Sequence, residues 1–207
     1  MADMMDMMSG DAWDESMFDD IAGDRPDILK KVTFLIDHSG SMDGTTIGTI
    51  NSVMEEILSE LDEHKTRIAV AEIDEEVQWK TEIPVSVSHL GSWERTRSGS
   101  FSNLGAAFSQ LADRLGTVGW QEEGTKGSAF YFILFSDGLA SDDAKIDLKK
   151  LAAIPDFQNG KRMSINFSSV RNDELLSAFA GGEKNVIQAS GSGAIDMVEN
   201  AVLKMLK

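Results

Sequence analysis

Hydrophobic and polar positions along the chain alternate between two periods. Residues 32–36 (VTFLI) form a short run rich in β-branched and aromatic side chains, the pattern of a strand buried on both faces. Ile47, Ile50, Val53, Met54, Ile57, Leu58 and Leu61 then recur at spacings of three and four, with Glu55, Glu56, Glu60 and Asp62 between them. That stripe predicts an amphipathic helix. Residues 67–73 read as a second strand, and residues 76–87 as a third that pairs with it through a short turn at Asp74 and Glu75. A loop follows, and Leu104, Ala107, Phe108, Leu111 and Leu115 make the next helical stripe, with Ser102 or Asn103 as its cap. Residues 129–135 are the most apolar run and belong at the sheet centre. Beyond them the pattern predicts a helix over about 142–153, a strand over 162–167, a helix over 173–179 stopped by Gly181 and Gly182, a strand over 185–188 and a last helix from about Ala194. Strands separated by helices of this length predict an α/β fold: a mostly parallel sheet with one antiparallel edge strand and helices on both faces.

Length changes this picture little: 207 residues hold one such domain and a short appendage. Charge changes it more. Residues 1–28 contain nine acids against Arg25, a net charge of −8, half of the −16 of the whole chain. Pro26 marks the boundary, giving an acidic, methionine-rich tail over 1–28 and a domain over 29–207. The tail reads either as a flexible solubilising arm or as a partner-binding segment. Trp13, Met17 and Ile21 stand four residues apart with Phe18 alongside, so residues 13–21 could lay an apolar helical face on a partner.

The acidic balance disfavours nucleic acid and anionic membranes as partners. No apolar run approaches the roughly 18 to 20 residues of a membrane span. The chain has no cysteine, which excludes disulfides, thiolate catalysis and cysteine-held zinc or iron–sulfur clusters. Its N-terminus lacks the basic and continuous apolar regions of a signal peptide, so the expected location is the cytoplasm.

Candidate chemistry gathers at strand ends. In an open parallel sheet, ligands bind beyond the carboxyl ends of the strands, where the strand order reverses. The stretch TFLIDHSGSMDG delivers Asp37, Ser39 and Ser41 at alternate positions, so they point to one side while Gly40 permits the turn. YFILFSDG delivers Asp137, and SGSFSNLGAAF brings Ser102 to a helix start. Hydroxyls and carboxylates, with no His or Cys among them, suit Mg²⁺, Mn²⁺ or Ca²⁺ better than zinc or copper. Neutral hydroxyls leave such an ion attractive to an incoming carboxylate.

These three segments, DHSGSM, SNLG and FSDG, resemble in order and approximate spacing the metal-ion-dependent adhesion site of von Willebrand factor type A domains. The resemblance covers roughly residues 30–207 and implies a three-layer, Rossmann-like fold. It also implies that Ser39, Ser41 and Ser102 ligate the ion directly, that Asp37 and Asp137 bind it directly or through water, and that a partner's Asp or Glu fills the last position. Ser102 stands where the family usually has Thr. The chain looks closest to the bacterial tellurium-resistance-type (TerY-like) branch, which implies a stress or conflict system with a Ser/Thr kinase and a PP2C-type phosphatase. Specificity would come from loops such as residues 88–100, where Trp93 is the expected contact.

The same residues admit competing readings. Asp, Ser and Gly are ordinary turn formers, so the 37–41 segment alone would read as a turn. His38 next to Ser39 hints at a nucleophile pair, but neighbours on an extended segment face opposite ways and no G-x-S-x-G elbow surrounds them. A weak metal-assisted hydrolase is one alternative, and binding without catalysis is the expectation. A phosphorylation-regulated adaptor is another, with Ser9 and Ser16 in acidic surroundings where a phosphate would repel its neighbours. The segment SGSGAID reads as a glycine-containing helix entry rather than a phosphate cradle, since no Lys follows in P-loop spacing. His64 and His89 stand alone.

Overall fold

The computed structural model describes residues 28–121, 128–169, 173–189, 191 and 193–207. Trp13, Met17, Phe18, Ile21, Ser9 and Ser16 lie outside the described residues. Among those described, six strands form one sheet: β1 (Leu29–Asp37), β2 (Thr66–Ile73), β3 (Val77–Trp79), β4 (Ser128–Ser136), β5 (Lys161–Asn166) and β6 (Val186–Gln188). Their order is β3-β2-β1-β4-β5-β6. Every pairing is parallel except that of β2 with β3. The helices are α1 (Thr45–Glu60), α2 (Val87–Leu90), α3 (Leu104–Leu115), α4 (Val118–Gln121), α5 (Ala144–Ala152), α6 (Pro155–Asn159), α7 (Glu174–Ala180) and α8 (Ala194–Leu206). None of them is long and apolar enough to cross a membrane.

The strand period places β1 in two cores at once. Val32, Phe34 and Ile36 face one way, against Ile50, Met54 and Ile57 of α1 and Val198 and Val202 of α8. Leu35 faces the other way, against Phe108 and Leu111 of α3, Leu151 of α5 and Phe179 of α7. Each such side chain taken fully out of water stabilises the fold by about 1.5 to 3 kcal/mol. The three predicted layers are therefore present.

One predicted element is shorter than expected. The third strand was expected over 76–87, but pairing with β2 ends at Trp79 and resumes only as a bridge between Val85 and Ile68. Pro84 has no N–H to give a ladder, and the chain turns away before it. Val87 then opens α2 instead of closing the strand.

β1 lies between β2 and β4, so the chain leaves β1 towards one side and leaves β4 towards the other. The loops after these two strands diverge at the carboxyl edge, which opens a crevice there.

Candidate metal centre

Asp37 ends β1 with its side chain fully buried. Its Oδ1 accepts the backbone N–H of Ser39 at 3.0 Å. Its Oδ2 accepts hydroxyls from Ser102 at 2.9 Å and Ser136 at 2.8 Å. The hydroxyls of Ser39 and Ser41 lie 3.2 Å apart and share a hydrogen bond. Asp137 is buried just beyond β4, where Gly138 turns the chain at φ +83° and Oδ1 accepts the Leu139 N–H at 2.9 Å. The structure thus brings all five predicted residues to one edge. It ties Asp37 directly to Ser102 and, through Ser136, which also accepts the Gly138 N–H, to the loop that bears Asp137.

Burial pushes the Asp37 carboxyl up from its ordinary value, and the hydrogen bonds from Ser39, Ser136 and Ser102 offset this only in part. No Lys, Arg or His among the described residues forms an ion pair with Asp37 or Asp137. A dry carboxylate without a counter-charge, beside hydroxyl oxygens, fits a hard divalent cation. The described residues hold no cluster of three or more His, Cys, Asp or Glu, so an ion here would depend on the serine hydroxyls.

The loop bearing Ser102 is pinned from both sides. Its N–H donates to Ser141 Oγ at 3.0 Å, and its carbonyl accepts the Ser141 N–H at 2.7 Å. Asp74 Oδ1 accepts the N–H groups of Ser100 at 2.9 Å and Phe101 at 3.2 Å. Gly99 passes so close to Asp74 that a Cβ would lie 1.9 Å from its carboxylate.

The expected α3 cap is replaced. Asn103 occupies the position but donates its Nδ2 to the Glu75 carbonyl at 2.7 Å, and the Ser102 hydroxyl is engaged by Asp37. Asp142 accepts the helix N–H groups of Gly105 and Ala106 at 2.9 and 3.0 Å instead.

Ser136, Ser141, Asp142 and Asp74 were not singled out from sequence. Only Ser136 carried a local signal, a hydroxyl ending an otherwise apolar run. His38 does not pair with Ser39: its Nδ1 meets the Arg97 carbonyl at 2.6 Å. Trp93, expected as a partner contact, is half-buried with its Nε1 donating to Asn51 at 3.0 Å and its ring against the α1 and α8 core. The exposed apolar residues at this edge are Phe101 and Leu139, 56% and 65% accessible, next to Ser102 and Asp137.

The family model for the von Willebrand factor type A domain matches residues 31–200. The chain belongs to this family. No curated protein matches it in sequence. Among solved structures, proximal thread matrix protein 1 from the mussel byssus is 12% identical, with a TM-score of 0.64 over 84% of this chain and 47% of that one. The pilus adhesin SpaC of Lactobacillus rhamnosus GG is 10% identical, with a TM-score of 0.63 over 86% of this chain and 30% of that one. This type A chain therefore spans under half of the mussel protein and under a third of the adhesin. A manganese-loaded TRAP protein of Plasmodium vivax is 14% identical, with a TM-score of 0.62 over 85% and 74%. The mussel protein is also known with zinc in its metal-ion-dependent adhesion motif, 14% identical with a TM-score of 0.60 over 84% and 46%. At these identities the likeness is one of type A fold.

Proposed function

We propose that this chain binds a protein partner through a divalent cation. Ser39, Ser41 and Ser102 would supply hydroxyl oxygens, Asp37 and Asp137 would supply charge directly or through water, and an Asp or Glu of the partner would complete the shell. The observation that carries this reading is Asp37: buried, pushed up in pKa, and hydrogen-bonded to Ser102 and Ser136 with no ion-pair partner among the described residues. An ion there would neutralise it and still attract an acid, since the remaining donors are neutral. Manganese and zinc in relatives support cation binding by this fold. The oxygen donors here favour Mg²⁺, Mn²⁺ or Ca²⁺. Phe101 and Leu139 give the partner an apolar rim around the ion.

The reading is one of binding rather than catalysis, supported by His38 bonding to Arg97 and Ser39 to Ser41. Calorimetry with MnCl₂, MgCl₂ and CaCl₂ tests the ion; no heat with any of them, or the same heat in Asp37→Ala, would sink the proposal. A peptide array at saturating Mn²⁺ tests the partner. Peptides that bind equally well after all their Asp and Glu become Asn and Gln would remove the acidic ligand from the reading.

A second reading keeps the TerY-like resemblance, in which the chain is a cytoplasmic, phosphorylation-regulated adaptor between a Ser/Thr kinase and a PP2C-type phosphatase in a stress response. It is supported by Ser9 and Ser16 in the acidic tail. Unchanged mass after incubation with such a kinase would remove it for that kinase.

A further inference from the structure

At the opposite edge of the sheet, a groove of 590 Å³ runs between the start of β5, the end of α7 and the last turns of α8. Lys161, Arg162, Lys184 and Lys204 line it together with Met163 and Met205, and no acidic residue does. None of the four cations forms an ion pair among the described residues. Lys161 lies 5.2 Å from the Tyr131 ring centroid and donates to the Met205 carbonyl at 3.3 Å. Arg162 lies over the Phe157 ring at 5.0 Å. Lys184 and Lys204 are exposed. In a chain of net charge −16, four cations lining one groove with no ion-pair partner among the described residues form an anion-seeking surface with an apolar floor.

The chain itself carries a segment of matching chemistry. Residues 13–21 combine Asp14, Glu15, Asp19 and Asp20 with Trp13, Met17, Phe18 and Ile21. The tether is long enough. Leu29 pairs with Ser128 at the start of β4, and Tyr131 pairs with Lys161 at the start of β5, so the groove lies two strands across from the point where the tail joins. That is about 10 Å across at the usual strand spacing and about 10 Å along the strands, since Lys161 lies level with Val32, and residues 22–28 extend up to about 24 Å. The metal edge lies the length of β1 away, about 30 Å for nine residues. Asp74, Glu75, Asp142, Asp143, Asp173 and Glu174 stand around that edge and, with no ion bound, repel an acidic segment.

We propose that residues 13–21 dock in this groove of their own molecule, their carboxylates on Lys161, Arg162, Lys184 and Lys204 and their apolar side chains on Met163 and Met205. One consequence rests on the metal reading above: docking holds the four acids of residues 13–21 away from an ion that would otherwise attract them. The docking itself does not depend on the ion.

The absence of cysteine makes a direct test simple. A nitroxide on Ser16→Cys in the full chain, in EDTA and low salt, should reduce the amide signals of Met163, Gly181, Lys184 and Met205 to less than half. The signals should recover in Lys184→Glu/Lys204→Glu, where both altered side chains are exposed. They should also recover near 0.5 M NaCl, where screening acts over about 4 Å; this arm requires no variant to fold. Strongest broadening at Phe101 and Leu139, or weak and even broadening throughout, would overturn the proposal. Equal broadening when a spin-labelled, isotopically silent chain is mixed with an unlabelled ¹⁵N chain would place the contact between molecules and overturn it as well. Since the ion is absent, failure here leaves the metal reading intact, and failure of the calorimetry leaves the docking intact.

Discussion

At the carboxyl edge of the sheet, Asp37 is fully buried and receives hydrogen bonds from Ser39, Ser102 and Ser136; at the amino edge, Lys184 and Lys204 stand in solvent. The first arrangement orients a carboxylate through three hydrogen bonds and keeps a charge dry at a cost in folding free energy. The second leaves long, exposed cations along an open groove. A site of the first kind suits a small ion, where geometry decides. One of the second kind suits an extended acidic surface, where summed charge decides and salt weakens the contact.

The largest effect that separates the edges is on the ion. Asp37→Ala should lower Mn²⁺ affinity by more than about 100-fold, since even residues that only orient ligands are worth about 10- to 100-fold. Lys204→Glu should leave it within about twofold. Comparable losses in calorimetry would show that the edges are coupled and that the contrast is false.

A smaller loss should follow from a residue that is not itself expected on the ion. Ser136 donates to Asp37 Oδ2 and accepts the Gly138 N–H at 3.0 Å, so it joins the two carboxylate-bearing loops. Ser136→Ala should weaken Mn²⁺ binding about 10-fold with little change in melting temperature. Unchanged affinity would mean that Ser102 alone orients Asp37.

Much of this arrangement was legible in the chain. The placement of Asp37, Ser39 and Ser41 at the sheet edge could be read because alternation after a strand is a local pattern, and that of Ser102 and Asp137 because each opens or closes a periodic segment. The sheet was legible for the same reason, since the strand and helix periods alternate cleanly along residues 29–207. What escaped was non-local. Asp142 caps α3 from 36 and 37 residues away in sequence, and Asp74 holds a loop 26 residues on. The short β3 escaped because a β-rich composition does not reveal where pairing stops. Trp93 was read as a contact because an aromatic residue in a loop resembles an exposed anchor; its bond to Asn51 depends on tertiary packing.

Gly99 tests whether the loop is as rigid as the comparison requires. A Cβ would lie 1.9 Å from the Asp74 carboxylate, so Gly99→Ala must move either the acid or the loop. Overpacking of this kind costs about 1 to 3 kcal/mol. Urea unfolding should show that loss, with Mn²⁺ affinity falling several-fold because Ser102 lies three residues on. A stability loss with affinity unchanged would mean that Ser141 alone fixes Ser102.

The smallest effect is that of pH on the same latch. Burial raises the pKa of Asp74, but hydrogen bonds from the backbone of Ser100, Glu75 and Phe101, with a smaller electrostatic contribution from His38, outweigh it and hold the carboxyl below its ordinary value of 3.8. A carboxyl depressed on folding contributes stability that is full above its unfolded pKa and is lost as pH falls through the folded one. The stability difference between the native chain and Asp74→Asn should therefore be constant from pH 7 to about 5 and shrink steadily below about pH 4. Asp74 is half-buried and keeps contact with solvent, so screening keeps the difference under about 1 kcal/mol. Hydrogen exchange at the Ser100 and Phe101 amides resolves it where global unfolding does not. Exchange at Lys184 and Lys204, on the opposite edge, should be the same in both proteins at every pH. A difference that grows on acidification would reverse the sign and make burial, rather than the backbone hydrogen bonds, the dominant influence on Asp74.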